Sequence, residues 1–467
     1  MGVAVLLVAA LAALFLIAPA FDGPDHSAAA GRQVFAQAGC GGCHSLAAAG
    51  STGTTGPSLD EVDPSAAVVT RQVTNGGGGM PSFRGRLSDD QIAAVATFVS
   101  SNATGQAASG ASKVFRPSTQ QVADCATTDR RCLEQAYGNL AYRSGAHAAL
   151  TALARQASGS DAVAAECHRI THGIGGATLA RDRGEVGRAL ASGGPYCGSG
   201  FYHGVLDHAF AKVPVTQLGV AARRFCSTAA IRTETFLTSN CLHGLGHGLM
   251  IRTGLDLPQA LHACAALGVA RDRSVCDTGV FMENFFSSYG GQSPWVRSDN
   301  LLYPCTMVPR VEKAPCYANV TSWVLKHHRG DYMEVSRWCA RADTGFHAVC
   351  AQSLGRDISA DAGHVPAAVA RGCLGLPAGD QPDCFFGAAR NQFHHDAAPR
   401  RAIALCLLAT GKDRSTCFEG VGYDLPTKAP WASQGLAACR LAGASNDVRA
   451  CEAGIRRRGR AMQVQAG

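Results

Sequence analysis

The sequence is poor in charged and aromatic residues, and it lacks several motifs that mark common ligand-binding sites. Only 16% of its 467 residues are charged and 7% are aromatic, whereas 46% are hydrophobic and 54 are glycine. The net charge of +7 is spread along the chain without a long basic run, so nucleic-acid binding is not expected. No phosphate-binding loop, Gly-x-Ser-x-Gly nucleophile or dinucleotide-binding fingerprint is present. The composition is that of a folded protein, and the length predicts roughly two to four domains.

The N-terminal segment is apolar. Residues 3–20 contain no charged side chain, and as a helix they would extend about 27 Å, close to the hydrocarbon thickness of a bilayer. Ala18-Pro19-Ala20 resembles the cleavage site of a secretory signal. We therefore predict that residues 1–21 form a membrane anchor or a signal segment, and we favour the anchor. Under both interpretations the chain after Phe21 is exported.

The cysteine content predicts an oxidising compartment. The chain has 20 cysteines, of which two belong to the segment Cys40-Gly41-Gly42-Cys43-His44, and the remaining 18 (20 − 2) could form nine pairs. Such a number is typical of extracytoplasmic proteins. We expect the bulk of the chain on the periplasmic or cell-surface side of a membrane, with secretion after signal cleavage as the alternative.

Cys-x-x-Cys-His in an exported chain is typical of covalent haem c attachment. The thiols of Cys40 and Cys43 would add to the porphyrin vinyl groups, and His44 would be the proximal iron ligand. A redox-active Cys-x-x-Cys and half of a zinc site are the alternatives. The surrounding sequence favours haem.

Two downstream segments, Gly56-Pro57-Ser58-Leu59 and Gly79-Met80-Pro81-Ser82-Phe83, accompany the haem motif. With them, residues 27–104 resemble a class I cytochrome c domain. The resemblance gives Pro57 the carbonyl that orients the axial histidine, and it makes Met80 the distal iron ligand. It implies one covalent haem c per chain and a helical fold. His/Met ligation leaves no open iron position, so an electron carrier is expected rather than a catalyst on its own.

The chain after the predicted linker at residues 105–116 has regularly spaced cysteines. From Cys264 onward, pairs with members 11 or 12 residues apart recur, and their first cysteines are 41, 34, 34, 33 and 33 residues apart. These pairs are Cys264/Cys276, Cys305/Cys316, Cys339/Cys350, Cys373/Cys384, Cys406/Cys417 and Cys439/Cys451. A period near 34 residues is typical of solenoids built from helical hairpins.

We predict that each pair is a disulfide joining the end of one helix to the start of the next. Each would contribute roughly 2–3 kcal/mol in the chain-entropy picture. Modified copies of the same plan precede them as Cys125/Cys132, Cys167/Cys197 and Cys226/Cys241. The predicted fold is all-α: an N-terminal transmembrane or signal helix, a small helical cytochrome c domain, and a disulfide-stapled α-solenoid of helical hairpins at residues 117–460.

Seven of the 16 histidines fall between residues 168 and 262. His172, His203 and His243 are each followed by glycine and an aliphatic residue. Two of these have a companion four residues away on the same helix face, and these companions are His168 and His247. If the three helices pack side by side, the histidines would converge on a tri-histidine copper or zinc site with an open position. Asp207 or His208 could then lie behind the ligands.

Two alternatives remain for these histidines: packing between helices, and a ligand-binding cleft without metal. The dense glycine around His243 costs up to about 1 kcal/mol per residue in a helix, which favours function slightly. Two functions follow for the chain. One is electron transfer with a metal site in the solenoid, and the other is a pure carrier whose solenoid is a docking scaffold. Both imply a redox partner protein, and the anchor implies a membrane.

Overall fold

The computed structural model describes residues 28–53, 56, 59–62, 64, 66–76, 80–102, 115–194, 196–197, 199–211, 213–286, 293–396, 398–427 and 431–464. The predicted N-terminal anchor or signal segment and Pro57 lie outside the described residues. Within these ranges, no helix is long and apolar enough to cross a membrane. The chain divides into two compact units, Met1–Ser109 and Gly110–Gly467.

The first unit is a small helical domain. Its helices are α1 (Ala28–Gln37), α2 (Leu59–Val62), α3 (Ala66–Asn75) and α4 (Asp89–Asn102), with 3₁₀ turns at Cys40–Gly42 and Ala47–Ala49. Two short strands, β1 (Ser45–Leu46) and β2 (Ser51–Thr52), pair antiparallel. Helix α4 begins at a capping box, because the Ser88 amide donates to Gln91 Oε1 at 2.9 Å and the Gln91 amide donates to Ser88 Oγ at 3.2 Å. Helices α1 and α4 cross closely, and Phe35 meets Phe98 edge-on at 5.8 Å.

The second unit is mostly helical, as predicted. Its helices are α5 (Arg130–Ser144), α6 (Ala146–Ser158), α7 (Asp161–Arg181), α8 (Val186–Ala191), α9 (Gly200–Phe210), α10 (Leu218–Phe225), α11 (Ala229–Arg232), α12 (Thr235–Arg252), α13 (Leu257–Ala265), α14 (Ala270–Phe286), α15 (Arg310–Tyr317), α16 (Thr321–His327), α17 (Tyr332–Cys339), α18 (His347–Asp361), α19 (Pro366–Leu374), α20 (Gln381–Asp396), α21 (Arg400–Cys406), α22 (Gly411–Asp424), α23 (Trp431–Gln434) and α24 (Ser445–Val464). 3₁₀ turns lie at Val122–Asp124, Val215–Gln217, Leu425–Thr427 and Gly435–Ala442.

All nine predicted disulfides are formed. Their Cα–Cα distances run from 5.3 to 5.8 Å, within the range that a disulfide bridges without backbone movement. Most of them link the end of one helix to the early part of the next, as Cys373 and Cys384 do for α19 and α20. Cys305 and Cys316 depart from the expected placement, since Cys305 lies in a run of turns and Cys316 lies near the end of α15. Pro304 and Pro309 offer no amide hydrogen to that run, which disfavours helix there.

The long helices pack on one another through reciprocal glycine contacts. A Cβ added to Gly246 of α12 would lie 2.1 Å from the Cys276 carbonyl oxygen of α14, and one added to Gly279 would lie 2.0 Å from the His243 carbonyl oxygen. The same exchange joins α7 to α9, α18 to α20 and α22 to α24, through the glycine pairs Gly175/Gly204, Gly355/Gly387 and Gly422/Gly454. Only glycine permits backbones to approach this closely.

These contacts define equivalent positions along the second unit. In each pair, the glycine of one helix contacts a carbonyl oxygen of the other helix. The residue with that carbonyl lies three positions before the glycine of its own helix. The equivalent residues of the first helix are His172, His243, Gln352 and Glu419. The repeat therefore accepts histidine, glutamine or glutamate at one structural position.

Replacing Gly387 by alanine is expected to lower the free energy of unfolding by about 3 kcal/mol. The new Cβ would lie 1.8 Å from the Gln352 carbonyl oxygen, which is backbone and cannot move aside. The matched control is Gly459→Ala in helix α24, where nothing lies within 4 Å of the added Cβ. That variant should gain up to about 1 kcal/mol from helix propensity. Denaturant titration followed by circular dichroism measures both, and equal effects would contradict the close-packing argument.

Candidate haem and metal sites

The haem-attachment motif forms a compact turn. The amides of Cys43 and His44 both donate to the Cys40 carbonyl oxygen, at 3.2 and 3.0 Å. Cys40 and Cys43 are free thiols, whereas every other cysteine is in a disulfide, and Cys43 is exposed while Cys40 is partly buried. Two thiols kept out of the disulfide framework beside a buried imidazole fit covalent haem attachment.

His44 is held in place by glycine. The residue is 8% exposed, and a Cβ added to Gly56 would lie 2.5 to 3.0 Å from its ring atoms. The Gly56 amide also donates to the Cys43 carbonyl oxygen at 2.7 Å. Gly56 therefore packs directly on the predicted proximal ligand. The role predicted for Pro57 falls on a residue outside the described ranges.

Met80 lies in a loop that is pinned to the end of helix α3. The Phe83 amide donates to the Val73 carbonyl oxygen at 2.9 Å, and Ser82 Oγ donates to the Thr74 carbonyl oxygen at 2.7 Å. The Met80 side chain is partly buried against the domain core. The hydrogen bonds of Ser82 and Phe83 hold the residues just after Met80 against α3, and this position is compatible with the predicted role of Met80 as distal ligand.

The second unit brings five histidines together, and we call them the histidine cluster. They come from three consecutively packed helices: His168 and His172 from α7, His203 from α9, and His243 and His247 from α12. They form two groups of potential metal ligands that share His203, each with ligand atoms within 4.8 Å of one another. We call His168, His172 and His203 the first triad, and His203, His243 and His247 the second triad.

In each pair of histidines four residues apart, the two Nε2 atoms face each other. The distance is 3.4 Å between His172 and His168, and 3.2 Å between His247 and His243. His168 Nδ1 lies 2.9 Å from the Cys197 carbonyl oxygen, which can only accept, so this Nδ1 carries the proton. His247 Nδ1 lies 2.8 Å from Glu283 Oε2. Both rings therefore turn the Nε2 lone pair toward the cluster.

His203 lies between the two pairs. Its ring centroid is 5.3 Å from that of His168 and 5.8 Å from that of His172, and it is 5.8 Å from His243 and 4.1 Å from His247. The residue is 3% exposed. Among the described residues, its buried Nδ1 has no hydrogen-bond partner. A buried polar atom without a partner is costly, and here it lies among potential metal ligands.

The cluster is electrostatically suited to neutral imidazoles. Burial, with further repulsion from neighbouring histidines, lowers the pKa of His172 and of His203 well below the ordinary value. Burial likewise lowers the pKa of His168, and it lowers the pKa of His243 to about 3. Metals bind the neutral form of histidine, so each of these four rings can bind one ion at neutral pH without losing a proton.

The first unit matches known proteins. Residues 26–99 match the family described as cytochrome C oxidase, cbb3-type, subunit III. Cytochrome c6 from Leptolyngbya boryana is 42% identical over 80 residues, which cover 15% of this chain and 88% of that protein. Through these residues the chain belongs to the cytochrome c family. No solved structure matches the chain.

The cytochrome c domain implies electron transfer by covalently bound haem c, and it confirms the resemblance inferred from the sequence. The family match ends at residue 99, so the second unit has no family assignment. Nine disulfides and the cytochrome c domain together point to an extracytoplasmic location.

The histidine cluster contains all five predicted residues, but their grouping differs from the predicted trio of His172, His203 and His243. Residues four apart on a helix share a face, so each pair closes on itself and His203 completes both groups. The residues predicted to lie behind the ligands are His208 and Asp207. His208 Nδ1 donates to the Gly204 carbonyl oxygen of its own helix at 2.8 Å, and Asp207 is buried.

Glu283 is the functional residue that sequence reasoning missed. It is 1% exposed and holds His247. Its position follows from the glycine contacts, because Gly279 packs on the His243 carbonyl and the residues one turn later, Glu283 and His247, then face each other. The sequence signal that indicates this contact is a Gly-x-x-x-Glu segment in α14 that packs opposite the His-x-x-x-His segment of α12.

The histidines are not required for packing the repeat. At the position equivalent to His172 and His243, Gln352 donates to Asp383 Oδ1 at 2.8 Å, and Glu419 forms an ion pair with Arg457 at 3.5 Å. Ordinary polar pairs thus fill the same place where no cluster exists. The observation weakens the interpretation of these histidines as packing residues.

Proposed function

We propose that the chain is a membrane-anchored, extracytoplasmic electron-transfer protein whose second unit holds a copper centre in the histidine cluster. Haem c would be attached at Cys40 and Cys43, with His44 and Met80 as the iron ligands. The observation that carries the copper proposal is the convergence of five buried or half-buried imidazoles from three helices, two of them with lone pairs directed at their neighbours.

The cytochrome c domain supports the role of a carrier. Haem c supplies a one-electron couple, and ligation by both His44 and Met80 would keep the iron closed to other ligands. The residues of the domain only attach and orient the group. A redox partner protein is therefore required on at least one side of the transfer, and residues 1–21 would keep the chain at the membrane where such partners are found.

Copper fits the second unit better than the other metals. Imidazole nitrogens suit zinc, copper, iron and nickel, and copper binds most tightly among the divalent ions of the series. Zinc has no redox chemistry, whereas copper exchanges single electrons as haem does. Three histidine ligands also leave a coordination position open. The assignment is consistent with a chain that already carries one electron-transfer group.

Two residues behind the ligands would orient them. Glu283 accepts a hydrogen bond from His247, which is the carboxylate–histidine arrangement that raises ligand basicity. The Cys197 carbonyl does the same for His168, and Cys197 is itself fixed by its disulfide to Cys167. The site is thus held by the fold and would not have to form on metal binding.

Metal and haem analysis of the purified chain tests the proposal. We expect one haem per chain by the pyridine haemochrome spectrum, together with copper that survives dialysis against a weak chelator. The double variant His172→Gln/His243→Gln should lose the copper and keep the haem, because glutamine is already accepted at the equivalent position by Gln352. His262→Ala, at an exposed histidine outside the cluster, is the control. Haem without any second metal would favour the alternative, a carrier whose helical unit is a docking scaffold.

A further inference from the structure

We infer that the histidine cluster holds two copper ions, one in each triad, with His203 as the ligand that both share. The inference rests on the proposal that the cluster binds metal, and it assigns the number of ions and the ligands of each. The supporting observation is that two complete triads lie next to each other and have only His203 in common.

Each pair is already spaced for its own ion. Two nitrogens bound to one tetrahedral ion at about 2.0–2.1 Å lie roughly 3.3 Å apart. The observed Nε2 separations are 3.4 Å in the first triad and 3.2 Å in the second. A single ion would occupy one pair and leave the other pair joined by an N–H···N hydrogen bond. Two ions satisfy both.

His203 would serve both ions as an imidazolate, in which each ring nitrogen has a lone pair, and its ring proton would be released to water when the second ion binds. Its ring lies beside both pairs, with centroids 5.3 Å from His168 and 5.8 Å from His243. Its Nδ1 is buried and without a hydrogen-bond partner among the described residues. One ion at Nδ1 and one at Nε2 would give both ring nitrogens a partner.

Buried carboxylates also accompany the histidine cluster. Glu283 contacts His247 of the second triad. Asp207 is 5% exposed and follows His203 by about one turn of α9. The Glu283 carboxylate and the His203 imidazolate would together balance two monovalent copper ions, which matters because uncompensated buried charge is costly. The reduced, Cu(I) state is therefore the state that the site stabilises best.

The two triads resemble each other in their exposure to solvent. One ring of each is only partly buried, His168 in the first triad and His243 in the second, while the other three rings are buried. The helices that carry the rings are fixed by close contacts, such as Gly204 against the His172 carbonyl oxygen, where an added Cβ would lie at 2.2 Å. Each triad therefore has one ring that is partly exposed to solvent.

Anaerobic titration of the full-length haem protein with Cu(I), against a chromophoric competitor, counts the ions. We expect two equivalents for the unmodified chain and one equivalent each for His172→Gln and His243→Gln, which damage one triad apiece. His203→Ala should weaken both sites at least tenfold. After oxidation, the unmodified chain should show a spin-coupled electron paramagnetic resonance signal, and each single variant should show the signal of an isolated Cu(II) ion.

The outcomes separate this inference from the proposed function. One equivalent in the unmodified chain, lost in either single variant, would mean one ion bound by both pairs, so the two-ion inference fails while the metal proposal stands. No copper at all would remove both. Circular dichroism and an intact disulfide count verify folding of each variant, and His262→Ala should retain two equivalents.

Discussion

Replacing Met80 by alanine is expected to lower the reduction potential of the haem by on the order of 0.2 V. Methionine as second axial ligand raises the potential relative to other ligation, because the thioether favours the reduced iron. Met80 lies in a loop whose backbone is fixed to α3 by the hydrogen bonds of Ser82 and Phe83. Removing its side chain should leave the domain folded and open the distal position.

Spectroelectrochemical titration measures the potential, and carbon monoxide binding to the reduced protein reports the open position. The matched control is Met307→Ala, whose methionine is 74% exposed in the second unit. That variant should leave the potential unchanged and should bind no carbon monoxide. An unchanged potential in Met80→Ala would show that another residue is the distal ligand.

The disulfides could be predicted from the sequence because their geometry is local. Cysteines 11 or 12 residues apart around a turn, as in Cys406 and Cys417, can meet only when consecutive helices fold back on each other. The regular period then made neighbour pairing the consistent solution for the whole unit. Among the six regularly spaced pairs the exception is Cys305 and Cys316, since Cys305 follows Cys264 by 41 residues and lies in the turns around Pro304.

The grouping of the histidines could not be predicted, since it depends on how far three helices approach one another. The sequence indicated that glycines beside His172 and His243 would permit close contact, but it did not give the register. The register comes from Gly279 and Gly204 against the carbonyls of those histidines. One turn further along, it places Glu283 against His247 and the ring of His208 over Gly176.

The same register explains why the cluster is confined to one part of the second unit. At the positions equivalent to His247 and Glu283, the last pair of long helices has Tyr423 and Arg458, which stack at 5.1 Å. A single backbone arrangement thus accommodates a cation–π contact in one repeat and a carboxylate–histidine pair in another. The scaffold fixes the distance between the two side chains, and the side chains decide the chemistry.

Replacing Glu283 by glutamine is expected to weaken copper binding by about 10- to 100-fold while leaving the fold intact. The amide oxygen can still accept the hydrogen bond from His247, but the negative charge that raises ligand basicity and balances the ion is lost. In the metal-free protein, the neutral side chain removes a buried charge, so the free energy of unfolding should stay equal or rise. If Glu283 had only a structural role, the substitution would leave the copper affinity unchanged and would lower the free energy of unfolding.

Competitive copper titration and denaturant unfolding of the metal-free chain measure the two quantities. The matched control is Glu312→Gln, since Glu312 is a comparably buried glutamate of the same unit that pairs with Arg273 at 2.5 Å instead of with a histidine. That variant should lose stability, because it leaves Arg273 without its closest charge partner, and its copper affinity should not change. If Glu283→Gln bound copper as tightly as the unmodified chain, the carboxylate would have no part in the centre, and the contact with His247 would belong to helix packing alone.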